Sequence, residues 1–414
     1  MLDSVRNRWL LAVGAAVLVG VGFTALFSRA LQPPEETGGK EAAATWKART
    51  GVDLAALPRL HPPHRDSEEA RALDKLLEPI DLHLCGRSAD RRRPPAGEPS
   101  ASDSVEDLRE FLRDAIRADS MEPEALPPAA VAYVERRAAT LDAVAEYVAG
   151  HRDIHWREDY EPRPRPSVLY TRDHLTFHRL LIGRAFRALE RGDAATAARM
   201  LATSRQLSAA LEERWELESQ SIAIGAERLQ LALMRRAGSA LSVAPAEPAR
   251  GTRERYLAAT SAEAALVLAS SQQSGFRGPD DDPAERVVHT LAAPKIQVAA
   301  SEAVTLAAAA VDEIRRSPDG CAELAKKRPR PRGMFADNFH TLNATEAWRR
   351  FQVLELDRAI TAAVLTGRAA SPCPSVIITV RDDGTTRTVE SKGLPARSES
   401  IIDLPEIVTV RLKR

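Results

Sequence analysis

The sequence predicts a mainly α-helical protein with an N-terminal single transmembrane helix, a body of helical hairpins and bundles, and a small C-terminal antiparallel β-sheet. Three observations predict this. Trp9 to Ser28 contains no charged residue. From Asp66 to Gly367 apolar residues recur three and four apart, the period of a helix with one buried face. After Pro374 the period drops to two, the signature of a half-buried strand. The expected boundaries are a tail and anchor at 1–30, a Pro-rich tether at 31–65, helical groups at 66–160 and 161–370, and a β element at 371–414.

Twenty uncharged residues at about 1.5 Å each give roughly 30 Å of helix, enough to cross a bilayer's hydrocarbon core. A cleavable signal carries a shorter apolar region, and the small-x-small site Ser28-Arg29-Ala30 has a charge in its middle, so a retained anchor is expected. Trp9 sits at headgroup level with Arg6 and Arg8 just outside. Arg29, Lys40, Lys47 and Arg49 follow the span, so basic-residue counting alone does not orient it. Long following domains translocate largely regardless of charge, whereas an outside N-terminus would carry two arginines and the α-amine across. The expectation is a cytoplasmic N-terminus and an exported body. Ala12, Ala16, Gly20, Thr24 and Ser28 recur every four residues and offer a shallow groove to a second helix, though a span this rich in Ala and Gly also produces such a stripe by chance.

Composition narrows the partners. The formal net charge is zero, which argues against a general nucleic-acid binder. Only eight of the 58 basic residues are lysine, a usage that points to a GC-rich bacterial genome and makes arginine clusters weak signals. Cys85, Cys321 and Cys373 are too few and too far apart for a disulfide scaffold or a zinc knuckle; one bridge plus a free thiol is open, with the pair undetermined.

Punctuation sets out the elements in order. "QPPEETGGK" and "LPRLHPPHRD" read as a tether that holds the body off the membrane. Asp66 and Glu69 form a capping box for a helix that Pro79 interrupts. An amphipathic helix follows with Leu108, Phe111, Leu112, Ala115 and Ile116 on one face. Pro127 and Pro128 open another, whose stripe of Val131, Val134, Ala138, Leu141, Ala145 and Val148 should pack on a helix of the same chain. Pro162, Pro164 and Pro166 force an extended crossing. The most regular part comes next: Leu175, Ile182, Phe186 and Leu189 on one helix, a turn at Gly192-Asp193, and Ala197, Leu201 and Leu211 on the return helix.

Within that hairpin, "ERGDAATAARML" resembles the turn and second helix of a tetratricopeptide repeat over about twenty residues. Gly183 lies two residues too far from the turn for that pattern, and no second copy follows at a period of about 34, so only the antiparallel hairpin is carried forward. A third helix ends at Gly238, with Arg235 and Arg236 placed to meet the helix dipole. Further helices are expected from about Thr252 to Ser271, from Pro283 to Arg316 with a break at Pro294, and after an Asn343–Glu346 capping box. Val376, Ile378 and Val380, the Asp383-Gly384 turn, and "EIVTVRLKR" complete three strands.

Chemical signals are sparse. There is no phosphate loop, nucleophile elbow, H-E-x-x-H or calcium loop. His151 with His155, and His174 with His178, are i, i+4 pairs that on helices can share a metal, with Asp153, Glu158 or Asp173 as a third ligand. His178 also falls on the Leu175–Ile182 apolar stripe, where a hydrogen-bonded core histidine belongs. The basic run Lys326, Lys327, Arg328, Arg330 and Arg332, and the run Arg91 to Arg93, are candidates for anionic surfaces or solvated loops. Asp280 to Asp282 read as capping for the helix at Pro283. The expected function is a non-enzymatic interaction or scaffold module on a single-span inner-membrane anchor, with a protein partner or self-association, no nucleic acid, no identified small-molecule substrate and no cofactor. Two alternatives stand beside it: a metal-dependent envelope hydrolase using the histidine pairs, and a cytoplasm-facing adaptor.

Overall fold

A computed structural model describes residues 37–57, 65–85, 102–117, 125–157, 171–241, 251–272, 283–326, 328–329, 342–394, 404 and 407–411. The expected anchor, with Trp9, Ala12, Ala16, Gly20, Thr24 and Ser28, lies outside these residues. Among the described residues no helix is long and apolar enough to cross a membrane. They form ten α-helices and one three-stranded sheet.

The first helix, α1 (Thr37–Thr50), lies within the stretch read as an unpacked tether. Its sequence carries two glycines and no acidic first turn, so local signals are poor, but Ala42 and Trp46 are buried in the main core. The driving force is tertiary burial, which routinely overrides weak propensity. The helix α2 (Glu68–Leu77) starts one residue later than the capping box implies: Ser67 accepts from the Ala70 amide at 3.0 Å. Asp66 instead accepts from the Arg157 amide at 2.8 Å, tying this turn to the non-helical segment 151–157.

Helices α3 (Ser102–Arg117) and α4 (Pro128–Gly150) pack on each other and on α5 (Thr171–Glu190). The α4 stripe is buried inside this chain at Val134, Leu141, Ala145 and Val148. At Gly183 of α5 an added Cβ would sit 2.9 Å from Leu108 Cδ1 and 3.2 Å from Val134 Cγ2, so this glycine sets how closely α3 and α4 approach. The chain turns at Gly192, with φ of 74°, and Asp193 caps α6 (Ala194–Glu212) by accepting from the Thr196 amide. Helix α7 (Leu217–Ala237) packs against both members of this hairpin.

Beyond it, α8 (Thr252–Gln272) and α10 (Ala344–Thr366) pack on α7, and α9 (Pro283–Arg316) packs on α8 and α10. Helix α9 runs through Pro294 without the expected break. Proline removes one ladder hydrogen bond there, and the following turns are held by burial of Ile296, Ala300 and Val304. Helix α1 lies along α9 in parallel, since Gly38 is beside Ser301 while Arg315 Nη1 donates to the Thr50 carbonyl at 2.7 Å. Buried residues from Ala42 to Leu354 form one continuous cluster, so both expected helical groups share a core.

Strands β1 (Ile377–Asp382), β2 (Thr386–Lys392) and β3 (Ile407–Arg411) pair antiparallel in that order, with Val380, Val389 and Val408 in one row. Asp383 closes the first hairpin by accepting from the hydroxyl and amide of Thr386 and from those of Thr385, which hold its carboxyl well below the usual range. The inward residues Val376, Ile378, Val389 and Val408 join Leu356, Ile360, Ala363 and Val364 of α10 in a second cluster. Helix α10 therefore belongs to both cores.

Candidate functional site

The two histidine pairs do not make a metal centre among the described residues. Helix α4 stops at Gly150, and His151 and His155 lie on the extended segment that follows, so they share no helical face. His151 Nδ1–H donates to the Tyr147 carbonyl at 2.7 Å and its ring stacks on Tyr147. His155 is half-exposed, 3.8 Å from Asp153. His174 and His178 do sit on one face of α5, but that face is core. His174 Nε2–H donates to the Leu84 carbonyl at 3.3 Å, with its ring edge-on to Trp156. His178 Nδ1 lies 2.9 Å from Ser204 Oγ, which also accepts from Gln230 Nε2 at 2.9 Å. Burial drives their pKa values down to about 3 and about 4, so both are neutral. Glu158 lies outside the described residues.

The only three-ligand group among the described residues is Asp319, Cys321 and Cys373, and its two sulfurs are bonded to each other. That bridge selects the pair that sequence spacing left open; Cys85 is free. Asp319 reinforces the tie, accepting from the Cys321 and Ala322 amides with one oxygen and from the Ser375 amide, at 2.8 Å, with the other.

The basic run is also partly committed. Lys326 Nζ is 2.7 Å from Glu313 and 2.8 Å from Glu323, and Arg328 pairs with the same two carboxylates. The hydrogen bond that Lys326 donates to Glu313 raises the Lys326 pKa. These two cations are paired with carboxylates of the chain itself. Lys327, Arg330 and Arg332 lie outside the described residues, as do Arg91 to Arg93 and Asp280 to Asp282.

Sequence reading missed the densest polar constellation, which is buried between α7 and α10. Asp357 is 0 % exposed and takes both Arg228, at 3.1 Å, and Arg235; Arg235 also donates to Thr361 Oγ1 at 2.7 Å and to the Ile116 carbonyl at 3.1 Å. Arg235 is thus a core residue and not a surface partner of the helix dipole. At the adjacent residue of each helix, Arg358 forks onto Glu227 at 2.5 and 2.6 Å. At the α8 side, Arg255 Nε donates to Gln220 at 3.1 Å and Nη1 lies 3.4 Å from Glu212, whose pKa burial raises. A usable signal was present: Arg228 and Arg235 are seven apart, one heptad, on a helix with no clean polar face. Each carboxylate here faces an arginine inside packed helices, an arrangement suited to fixing helix register, with no free acid, base or nucleophile presented to a substrate.

What the surface offers lies at the sheet. An open groove of about 590 Å³ runs along the start of β1, lined by uncharged residues that include Pro318, Ala369, Pro372, Pro374, Val376 and Ile378. Ile377 beside it is 59 % exposed, the most exposed large apolar side chain among the described residues. No protein-family model matches the chain, nor does any curated protein or solved structure.

Proposed function

We propose that the chain is a non-enzymatic, single-span protein of the bacterial inner membrane whose extracytoplasmic helical body acts as an interaction or scaffold module. One observation carries the binding half of this reading. Among the described residues, the ionisable clusters are closed inside the fold or paired on its surface, whereas an uncharged groove beside an exposed isoleucine is left open. Exposed apolar surface bordered by polar residues is characteristic of protein-binding sites. The Cys321–Cys373 bridge supports the exported location, because such bonds persist in oxidising compartments. The uncharged Trp9–Ser28 stretch supports the anchor.

A reporter active only in the periplasm, fused after Arg414, tests topology; activity only of a cytoplasmic reporter would favour the adaptor orientation. Crosslinking in intact cells followed by affinity capture from membranes tests the scaffold reading. The expected result is a discrete adduct with another envelope protein or a second copy. A body that yields no adduct at any crosslinker length refutes it.

A further inference from the structure

We infer that the free edge of β1 takes an extended peptide from a partner protein as an added strand; this deepens the scaffold reading and rests on it. Among the described residues β1 pairs only with β2, so its other edge presents alternate amides and carbonyls with no ladder partner. Edge strands are commonly blunted by charge, proline or a bulge. Ile377 to Val380 has none of these: four consecutive uncharged residues, three of them aliphatic and all β-branched, in regular register with β2.

The groove lies at this same edge. Val376 and Ile378 form one wall, and Pro318, Ala369, Pro372 and Pro374 complete it, which supplies a seat for the inward side chains of an incoming strand. The other edge strand, β3, has a similar uncharged run from Ile407 to Val410, and what sets β1 apart is the groove beside its start.

The occupant follows from size and charge. Six residues of strand make an edge about 20 Å long, which at a strand spacing of about 5 Å covers on the order of 100 Å², well short of the roughly 800 Å² per partner that a stable protein dimer buries. A second rigid copy is therefore a poor fit, and a single extended segment a good one. Flanking the uncharged groove, Arg368 and Arg381 make no ion pair among the described residues, and Lys326 and Arg328 show that basic side chains of this chain are neutralised where a carboxylate is near. The partner segment is thus uncharged and β-branched over about four alternating positions, with acidic residues at its ends.

The test uses the full-length protein in detergent and a fluorescein-labelled eight-residue peptide of alternating valine and threonine with glutamate at both ends. Anisotropy should show saturable one-to-one binding. Ile377→Asp should weaken it at least tenfold, while Ile407→Asp on the opposite edge changes it less than twofold. Arg381→Glu should reverse the preference between this peptide and its lysine-ended counterpart. Near-UV circular dichroism verifies that each variant is folded, and the charge reversal stands as an independent readout should Ile377→Asp fail that check. Equal binding of a sequence-scrambled peptide, equal weakening by the two isoleucine variants, or concentration-dependent self-association abolished by Ile377→Asp would each overturn the proposal. If the peptide fails while cellular crosslinking still yields an adduct, the edge is wrong and the scaffold reading stands.

Discussion

The seam between α1 and α9 is built from small apolar residues around Trp46, whereas the seam between α7 and α10 closes Arg228, Arg235 and Arg358 against Asp357 and Glu227. The first relies on close approach: its attraction scales with buried area and has little directionality. The second adds little net stability, because taking charges out of water offsets most of their attraction, but it does not tolerate displacement. A slip of one turn between α7 and α10 would separate every pair at once. A similar slip of α1 would exchange one alanine for another, with Trp46 Nε1 to Ser261 Oγ, at 3.2 Å, and Arg315 to Thr50 as its directional contacts. The contrast teaches where register is encoded in this bundle.

The sharpest way to break the contrast is Asp357→Ala. It leaves two buried guanidinium groups uncompensated and should cost about 3–5 kcal/mol in denaturant unfolding. Replacing Arg228, Asp357 and Arg235 together with Met, Leu and Met should recover most of that loss; a triple variant as unstable as the single one would show that the seam is a net source of stability.

Acid probes a third region, the buried face of α5, where His174 meets Leu84 and Trp156, His178 meets Ser204 of α6, and both are buried neutral. Above the ordinary histidine pKa of 6.5 both folded and unfolded chains are neutral there. Between 6.5 and about 3 the unfolded chain takes up protons that the core refuses, so stability falls as pH falls and levels off below about 3. Each histidine contributes roughly 3–5 kcal/mol to this limb. Unfolding titrations from pH 7 to 3 should show it, flattened when both are changed to Gln.

On the apolar side, Ala42→Leu should cost about 1–3 kcal/mol by overpacking against α9. A neutral effect in thermal unfolding would mean that α1 can move away from α9 freely. The smallest change is Ser67→Ala, which removes the cap of α2 and should lower stability by about 1 kcal/mol without altering the peptide-binding edge.

Where local rules act alone, the sequence was legible. The α5–α6 hairpin, the start of α4 after Pro127, the Asn343 cap and the Asp383-Gly384 hairpin follow from turn chemistry and periodicity. Helix α1 was illegible because its glycines and flanking prolines resemble a linker, and only burial of Trp46 makes it a helix. The arginine seam was illegible for a different reason: arginine is so abundant here that its presence on an apolar face carried no contrast. The histidine pairs illustrate the converse, since the spacing of His151 and His155 implies a shared face only if the helix continues past Gly150, and it does not.

By itself the sequence determined the helical period, the caps and turns, the alternation of the C-terminal strands and the uncharged N-terminal stretch, because each depends on residues within a turn or two of one another. The tertiary structure alone decided which arginines are buried, which cysteines meet, that a glycine-bearing segment becomes α1, and that an uncharged strand edge is left beside a groove. Those outcomes depend on distant residues competing for the same buried volume, and spacing along the chain does not encode that competition.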